Sequence, residues 1–143
     1  MISISLHAAK QDFFDRAGVK KAVDAATRKV LSRFGAFVRT RARTSIRKRR
    51  GSSPPGSPPH SHVELLRQFI LFAYDRSRQS VVIGPVQLRQ KSDAPKLLEY
   101  GGTVVRRIKR HTRRLRYRAR PYMGPAFEKE LASLPALWRN SVR

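Results

Sequence analysis

From Val19 to Ile46, apolar residues return every three or four positions: Val19, Ala22, Val23, Ala26, Val30, Phe34, Phe37, Val38, Ala42 and Ile46. That period draws one stripe along an α-helix and does not fit a strand. Gly35 interrupts the stripe at a cost of about 1 kcal/mol relative to Ala, which the helix survives if the stripe is buried. The other face is basic, with Lys20, Lys21, Arg28, Lys29, Arg33, Arg39, Arg41 and Arg43. Charge thickens toward Arg47, Lys48, Arg49 and Arg50, read as the helix C-terminal end, where cations complement the helix dipole. Before this helix, Ile2, Ile4 and Leu6 alternate with polar residues, as in a short edge strand. A short helical piece through Phe13 and Phe14 is expected next, broken near Gly18.

Residues 51–62 change character abruptly. They hold Pro54, Pro55, Pro58 and Pro59 with Gly51 and Gly56, a composition that excludes helix and central strand and predicts an extended, semi-rigid loop. Val63 to Arg67 predicts a helical turn. Phe69 to Tyr74 and Ser80 to Gly84 read as two buried strands joined by the polar loop Asp75 to Gln79. Ala94 to Tyr100 predicts a short helix, with Pro95 in its first turn and Gly101-Gly102 ending it. Val104, Val105 and Ile108 are strand-like, and Leu115, Tyr117 and Ala119 alternate with Arg116, Arg118 and Arg120. Thr103 to Arg120 therefore reads as a long basic hairpin with one apolar and one charged face. A last amphipathic helix starts at Pro125 and runs through Phe127, Leu131, Leu134, Leu137 and Trp138. The expected fold is α+β: a long N-terminal helix packed on a small antiparallel sheet, a basic hairpin and a closing helix. One domain over residues 1–143 is expected, divided into strand and helices (1–50), loop (51–62), sheet with short helix and hairpin (63–120) and C-terminal helix (121–143).

Charge decides what such a chain seeks. The 143 residues carry 32 Lys+Arg against nine Asp+Glu, a formal net charge of +23. A chain this basic repels itself and is drawn to polyanions, either nucleic acid or an acidic protein surface. It contains no cysteine, so disulfides and thiolate metal sites are excluded. No apolar run approaches the roughly 18 residues that a membrane helix needs, and Met1 to His7 lacks the form of a signal peptide. A soluble protein made in the cytoplasm, with no membrane partner, is expected.

Catalytic chemistry has little to build on. The carboxylates Asp12, Asp15, Asp24, Glu64, Asp75, Asp93, Glu99, Glu128 and Glu130 are scattered, and none pairs as an acid/base dyad. His60 and His62 could share one face of an extended chain, but no third ligand stands at metal spacing. Ser61 beside His62 has no orienting acid. Gly51 to Gly56 lacks the ending of a phosphate loop, and its prolines remove N–H donors. No catalytic, metal or cofactor site is expected. The dense basic patches are the stronger signal. Arg47, Lys48, Arg49 and Arg50 form one; Arg106, Arg107, Lys109, Arg110, Arg113, Arg114, Arg116 and Arg118 form the other. Neither a zinc finger, an RNP motif nor a helix-turn-helix accompanies them. They suit sequence-independent contact with a DNA backbone or with the acidic face of a protein ring.

The order of the segments resembles the head–tail joining family of tailed phages, small neck or tail-completion proteins. The long amphipathic helix ends in basic residues and is followed by Ser53-Pro54-Pro55-Gly56-Ser57-Pro58-Pro59-His60, leading to Leu65-Leu66-Arg67. Then come Val82-Ile83-Gly84-Pro85 and Leu97-Leu98-Glu99-Tyr100-Gly101-Gly102, similar to the family's "LEFGT"-like turn. Ala119-Arg120-Pro121-Tyr122-Met123-Gly124-Pro125-Ala126-Phe127 is similar to its "ARPFLRPAL"-like entry to the final helix. The resemblance spans about Val19 to Leu134 and departs from the family in the arginine content of Val104 to Arg118.

It implies a structural, non-enzymatic subunit of a ring of about six or twelve identical copies, stacked between head and tail in the virion. Its neighbours would be connector or stopper and tail proteins, with double-stranded DNA passing through the channel. Subunit or partner-ring contacts are then expected at Pro54, Pro55, Pro58, Pro59, Val105, Ile108, Leu115 and Tyr117. The two basic patches would face DNA or an acidic partner. Alternatives are a tail terminator subunit and a free, sequence-independent nucleic-acid-binding protein.

Overall fold

The computed structural model describes residues 15–62, 64–86, 93–108, 111–139, 141 and 142. The strand expected at Ile2 to Leu6 and the helical piece through Phe13 and Phe14 lie outside them. The chain is α+β. Helix α1 runs Arg16–Ser45, three residues earlier than the apolar stripe suggests. Asp15 sets the start: its carboxylate accepts the N–H of Gly18 at 2.8 Å, satisfying an orphan donor of the first turn. Gly18 therefore lies inside the helix rather than breaking it.

Ala26, Val30, Phe34, Val38, Ala42 and Ile46 are the buried members of the stripe. A spacing of four drifts about 40° per step around a helix of 3.6 residues per turn. The buried line therefore winds around α1 and meets different neighbours along its length. Val19 and Val23 stay exposed among the described residues, so the covered stripe is shorter than the apolar one. The helix ends because its last turn is drawn away from it. Thr44 and Ser45 donate their hydroxyls to the carbonyls of Arg41 and Ala42, the kind of local bond that competes with helix. Arg67 donates to the free carbonyl of Arg43 at 3.1 Å, and Ile46 is already extended. Arg47 to Arg50 are thus not helical. Arg47–Lys48 form β1, paired in parallel with β2, His60–Ser61.

The proline segment is bent back on itself. The β1–β2 pairing brings its two ends together, and the Gly51 carbonyl lies 3.0 Å from His60 Nδ1. Pro54 and Pro55 are exposed, Pro58 is half-buried, and Ser53 and Pro59 are buried. A compact loop packed on its own body replaces the extended, exposed one expected.

Helix α2 (Leu65–Gln68) leads into β3 (Ile70–Asp75), which pairs antiparallel with β4 (Ser80–Pro85). One face of this ribbon lies on α1, where an added Cβ at Gly35 would stand 2.8 Å from Val81 Cγ2 and 2.9 Å from Phe72 Cδ2. Gly35 is what lets helix and ribbon approach. The strands are half-buried rather than wholly buried. Leu71 and Ala73 pair with Gly84 and Val82 on the outer face, and Val82 is 63% exposed. Helix α3 (Ala94–Tyr100) precedes a second antiparallel ribbon, β5 (Gly102–Ile108) with β6 (His111–Tyr117). Helices α4 (Met123–Leu131) and α5 (Leu134–Trp138) close the chain. Instead of one small sheet, the described residues form separate two-stranded ribbons.

Phe34, Val38, Ala42, Ile46, Ile70, Tyr122 and Ala126 form the core, with Leu66, Val81, Ile83, Leu98, Met123, Leu134 and Leu137 packed around it. Each fully buried large apolar side chain stabilises the fold by about 1.5–3 kcal/mol, so this cluster ties α1, β3 and α4 together. No helix among the described residues is long and apolar enough to cross a membrane.

Candidate polyanion interface

The hairpin β5–β6 stands apart from that core. Its described side chains are exposed except Val104 and Leu115, which are half-buried. It meets its own partner strand extensively and every other element sparsely. At about 3.3 Å per residue, its seven-residue strands make an arm roughly 23 Å long.

Register fixes what each face carries. Gly102 pairs with Tyr117, Val104 with Leu115 and Arg106 with Arg113 on one face; Thr103 pairs with Arg116, Val105 with Arg114 and Arg107 with Thr112 on the other. The expected division into an apolar and a charged face is therefore wrong. Val105, 61% exposed, sits on an arginine face, and Arg106 and Arg113 continue the face begun by Val104 and Leu115. The cause is the doublets Arg106-Arg107 and Arg113-Arg114, each of which places one cation on each side of the pleat, where strict alternation would place cations on one side only. Ile108 pairs with His111 near the tip. Lys109 and Arg110 lie outside the described residues.

Arg106 directly opposite Arg113 is a like-charge cross-strand pair, which costs roughly 0.2–1 kcal/mol. The hairpin contains no acid to offset it. The described ion pairs join Arg41 to Glu130, Lys48 to Glu64 at 3.7 Å and Arg67 to Glu64 at 3.9 Å; none involves the hairpin. The other predicted patch lies on β1 and the bend after it. Arg47, Lys48, Arg49 and Arg50 are all exposed, and among the described residues Lys48 alone of the four holds an acid.

The root of the hairpin is built from three distant segments. Gly101 has φ 72° and ψ −169°, a region essentially confined to glycine, and a Cβ there would stand 3.0 Å from Ala119 N and Tyr117 O. Arg120 N–H donates to the Leu98 carbonyl at 2.6 Å, and Gly56 N–H donates to the Ala119 carbonyl at 2.9 Å. The Arg120 guanidinium donates to the Ser53 carbonyl at 2.9 Å. The proline loop, the turn after α3 and the entry to α4 therefore clamp one another where the arm leaves the body. Pro59, expected at a partner contact, is instead buried within this chain.

Glu99 completes the root, and sequence reasoning missed its role. Its Oε2 accepts the N–H groups of Tyr122 and Met123 at 2.9 and 3.0 Å, and Oε1 accepts that of Gly124 at 2.7 Å. Pro125 has no N–H to offer, so one carboxylate from α3 satisfies the available donors at the start of α4 and complements its dipole. One signal existed: Glu99 is the sole carboxylate between Asp93 and Glu128. Burial pushes the Tyr122 hydroxyl pKa well up, and the Glu99 charge adds to it. That hydroxyl has no hydrogen-bond partner among the described residues.

A cleft of about 380 Å³ opens beside this corner, lined by residues that include Asp93, Lys96, Glu99 and Tyr100. Glu99 has both oxygens engaged by backbone donors, which leaves it poorly placed for proton transfer. Among the described residues no three His, Asp or Glu side chains gather as a metal site would require. No protein-family model, curated protein or solved structure matches the chain.

Proposed function

We propose that the chain is a non-catalytic structural subunit of a tailed-phage neck or tail-completion ring, joining the DNA-filled head to the tail. The observation that carries this is the root of the hairpin. The segments that resemble head–tail joining proteins, Ser53 to His60, Leu97 to Gly102 and Ala119 to Phe127, are far apart in sequence yet bond to one another there. They act as one clamp that presents the arm.

Ring formation would use the outer face of β3–β4. Phe69, Leu71 and Ala73 line up with Val86, Gly84 and Val82 across that ribbon, uncharged and largely exposed. Both ribbon edges are unpaired among the described residues. An exposed apolar patch with open strand edges is a surface that neighbouring chains cover. The basic arm would then reach the polyanion: DNA in the channel, or an acidic face of the connector, stopper or tail ring next to it.

Electron microscopy of lysates from a phage lacking this gene tests the assignment. Full heads and finished tails lying unjoined are expected. Tails of uncontrolled length would move the subunit to tail termination. Normal, infectious particles would overturn the joining role and favour a free nucleic-acid-binding protein, which the basic hairpin also suits.

A further inference from the structure

The hairpin narrows what its polyanion can be. An acidic protein surface meets one face of a ribbon, and arginines on the far side would remain in water. This ribbon carries exposed arginines on both faces: Arg106 and Arg113 on one, Arg107, Arg114 and Arg116 on the other. A duplex groove has a phosphate rail on each side. The major groove of DNA, about 12 Å wide, admits a two-stranded β-ribbon, whose strands lie about 4.8 Å apart. The hairpin cations are arginines apart from Lys109, and the guanidinium fork matches phosphate with two parallel hydrogen bonds. The Arg106–Arg113 opposition has no acid to relieve it within the hairpin, whereas phosphates on either side would relieve it.

We propose that the β5–β6 hairpin is a duplex nucleic-acid arm, which enters a groove of double-stranded DNA and holds phosphates of both strands through arginines on its two faces. This rests on the polyanion role assigned to the arm above and names the polyanion. Contact with the backbone makes the binding independent of sequence and steeply dependent on salt. On the face of Arg107, Arg114 and Arg116, the residues opposite them, Thr112, Val105 and Thr103, are small enough not to hold the ribbon off the groove floor.

The test uses the full chain, labelled duplex DNA of about 30 base pairs in two unrelated sequences, and poly-glutamate as a protein-like polyanion, each followed by anisotropy across a salt series. In one variant Arg106, Arg107, Arg113 and Arg114 are replaced by Gln; in a second, Lys20, Lys21, Arg28 and Lys29 on α1 are replaced by Gln, removing the same charge from the body. Thermal melting checks that each is folded, and the single variants R106Q and R113Q stand in should the fourfold hairpin variant not fold. The hairpin variant should lower the slope of log affinity against log salt by about 3 to 4, with both DNA sequences affected alike, while the body variant changes it little. Equal losses in the two variants would overturn the proposal by showing diffuse attraction only. If the hairpin variant lost poly-glutamate binding and kept DNA binding, the arm would be one for acidic protein, and the polyanion role would stand without its nucleic acid. Loss of neither in the hairpin variant would remove both.

Discussion

Gly35, Glu99 and Tyr122 each do something their residue type alone does not announce. A mid-helix glycine normally costs about 1 kcal/mol, so Gly35→Ala should stabilise an isolated helix. Here the new Cβ would meet Phe72 and Val81 below 3.0 Å. Overpacking costs roughly 1–3 kcal/mol, so thermal melting should show a net loss of stability. Glu99→Ala leaves three N–H groups at the start of α4 without their acceptor. Hydrogen bonds to a charged group are worth about 1.5–3 kcal/mol each, and some donors will find water, so a loss of at least about 2 kcal/mol is expected in denaturant unfolding. Tyr122→Phe removes a buried hydroxyl that has no partner, and should be neutral or stabilising by about 1 kcal/mol. It should also change alkaline behaviour. The Tyr122 pKa is raised in the folded state, so its neutral form contributes stability in full below the ordinary tyrosine pKa of about 10. That contribution is lost as pH rises beyond it. Melting above that pH should therefore fall more steeply in the wild type than in Tyr122→Phe.

At the scale of elements, what was legible followed from local pattern. The α1 stripe, the helix Ala94–Tyr100 and the hairpins β3–β4 and β5–β6 are set by periodicity and by Pro and Gly punctuation, and they stand close to where that pattern puts them. What was not legible depends on contacts between distant residues. Arg47 to Arg50 has helical composition, but the β1–β2 pairing with His60–Ser61 and the bond from Arg67 to the Arg43 carbonyl end α1 first. Pro59 looks like exposed loop until the loop folds onto its own body. The faces of β5–β6 follow from two doublets, Arg106-Arg107 and Arg113-Arg114, which strict alternation overlooks. The basic site was legible both as composition and as a long hairpin; the mixing of its faces and the clamp at its root were not. Because Arg106 faces Arg113, Arg113→Thr should raise stability slightly, by roughly 0.2–1 kcal/mol, or up to about 3 °C in melting temperature. The same change should weaken DNA binding. A stabilising substitution that impairs binding is the signature of a residue kept for its partner.

At the scale of the whole molecule, a formal charge of +23 over 143 residues sits on a body whose core is confined to α1, one ribbon and the closing helices. Some of those cations build the body: Arg39 donates to the Ile70 carbonyl, Arg41 pairs with Glu130 and Arg120 holds Ser53. The hairpin arginines take part in none of the described ion pairs, and in the proposed function they are the ones that reach the polyanion. A largely apolar ribbon face, with Phe69, Leu71, Ala73, Val82 and Val86, lies elsewhere on the same chain and is the surface proposed to meet neighbouring subunits. A body that associates through one surface and reaches a polyanion through another is what a ring around DNA requires. Immunogold electron microscopy of purified virions, with antibody against this chain, tests that account most directly. Label should sit at the junction of head and tail in nearly every particle. Virions without label or without the protein in their digest, or label on the capsid shell or the tail tip, would contradict it.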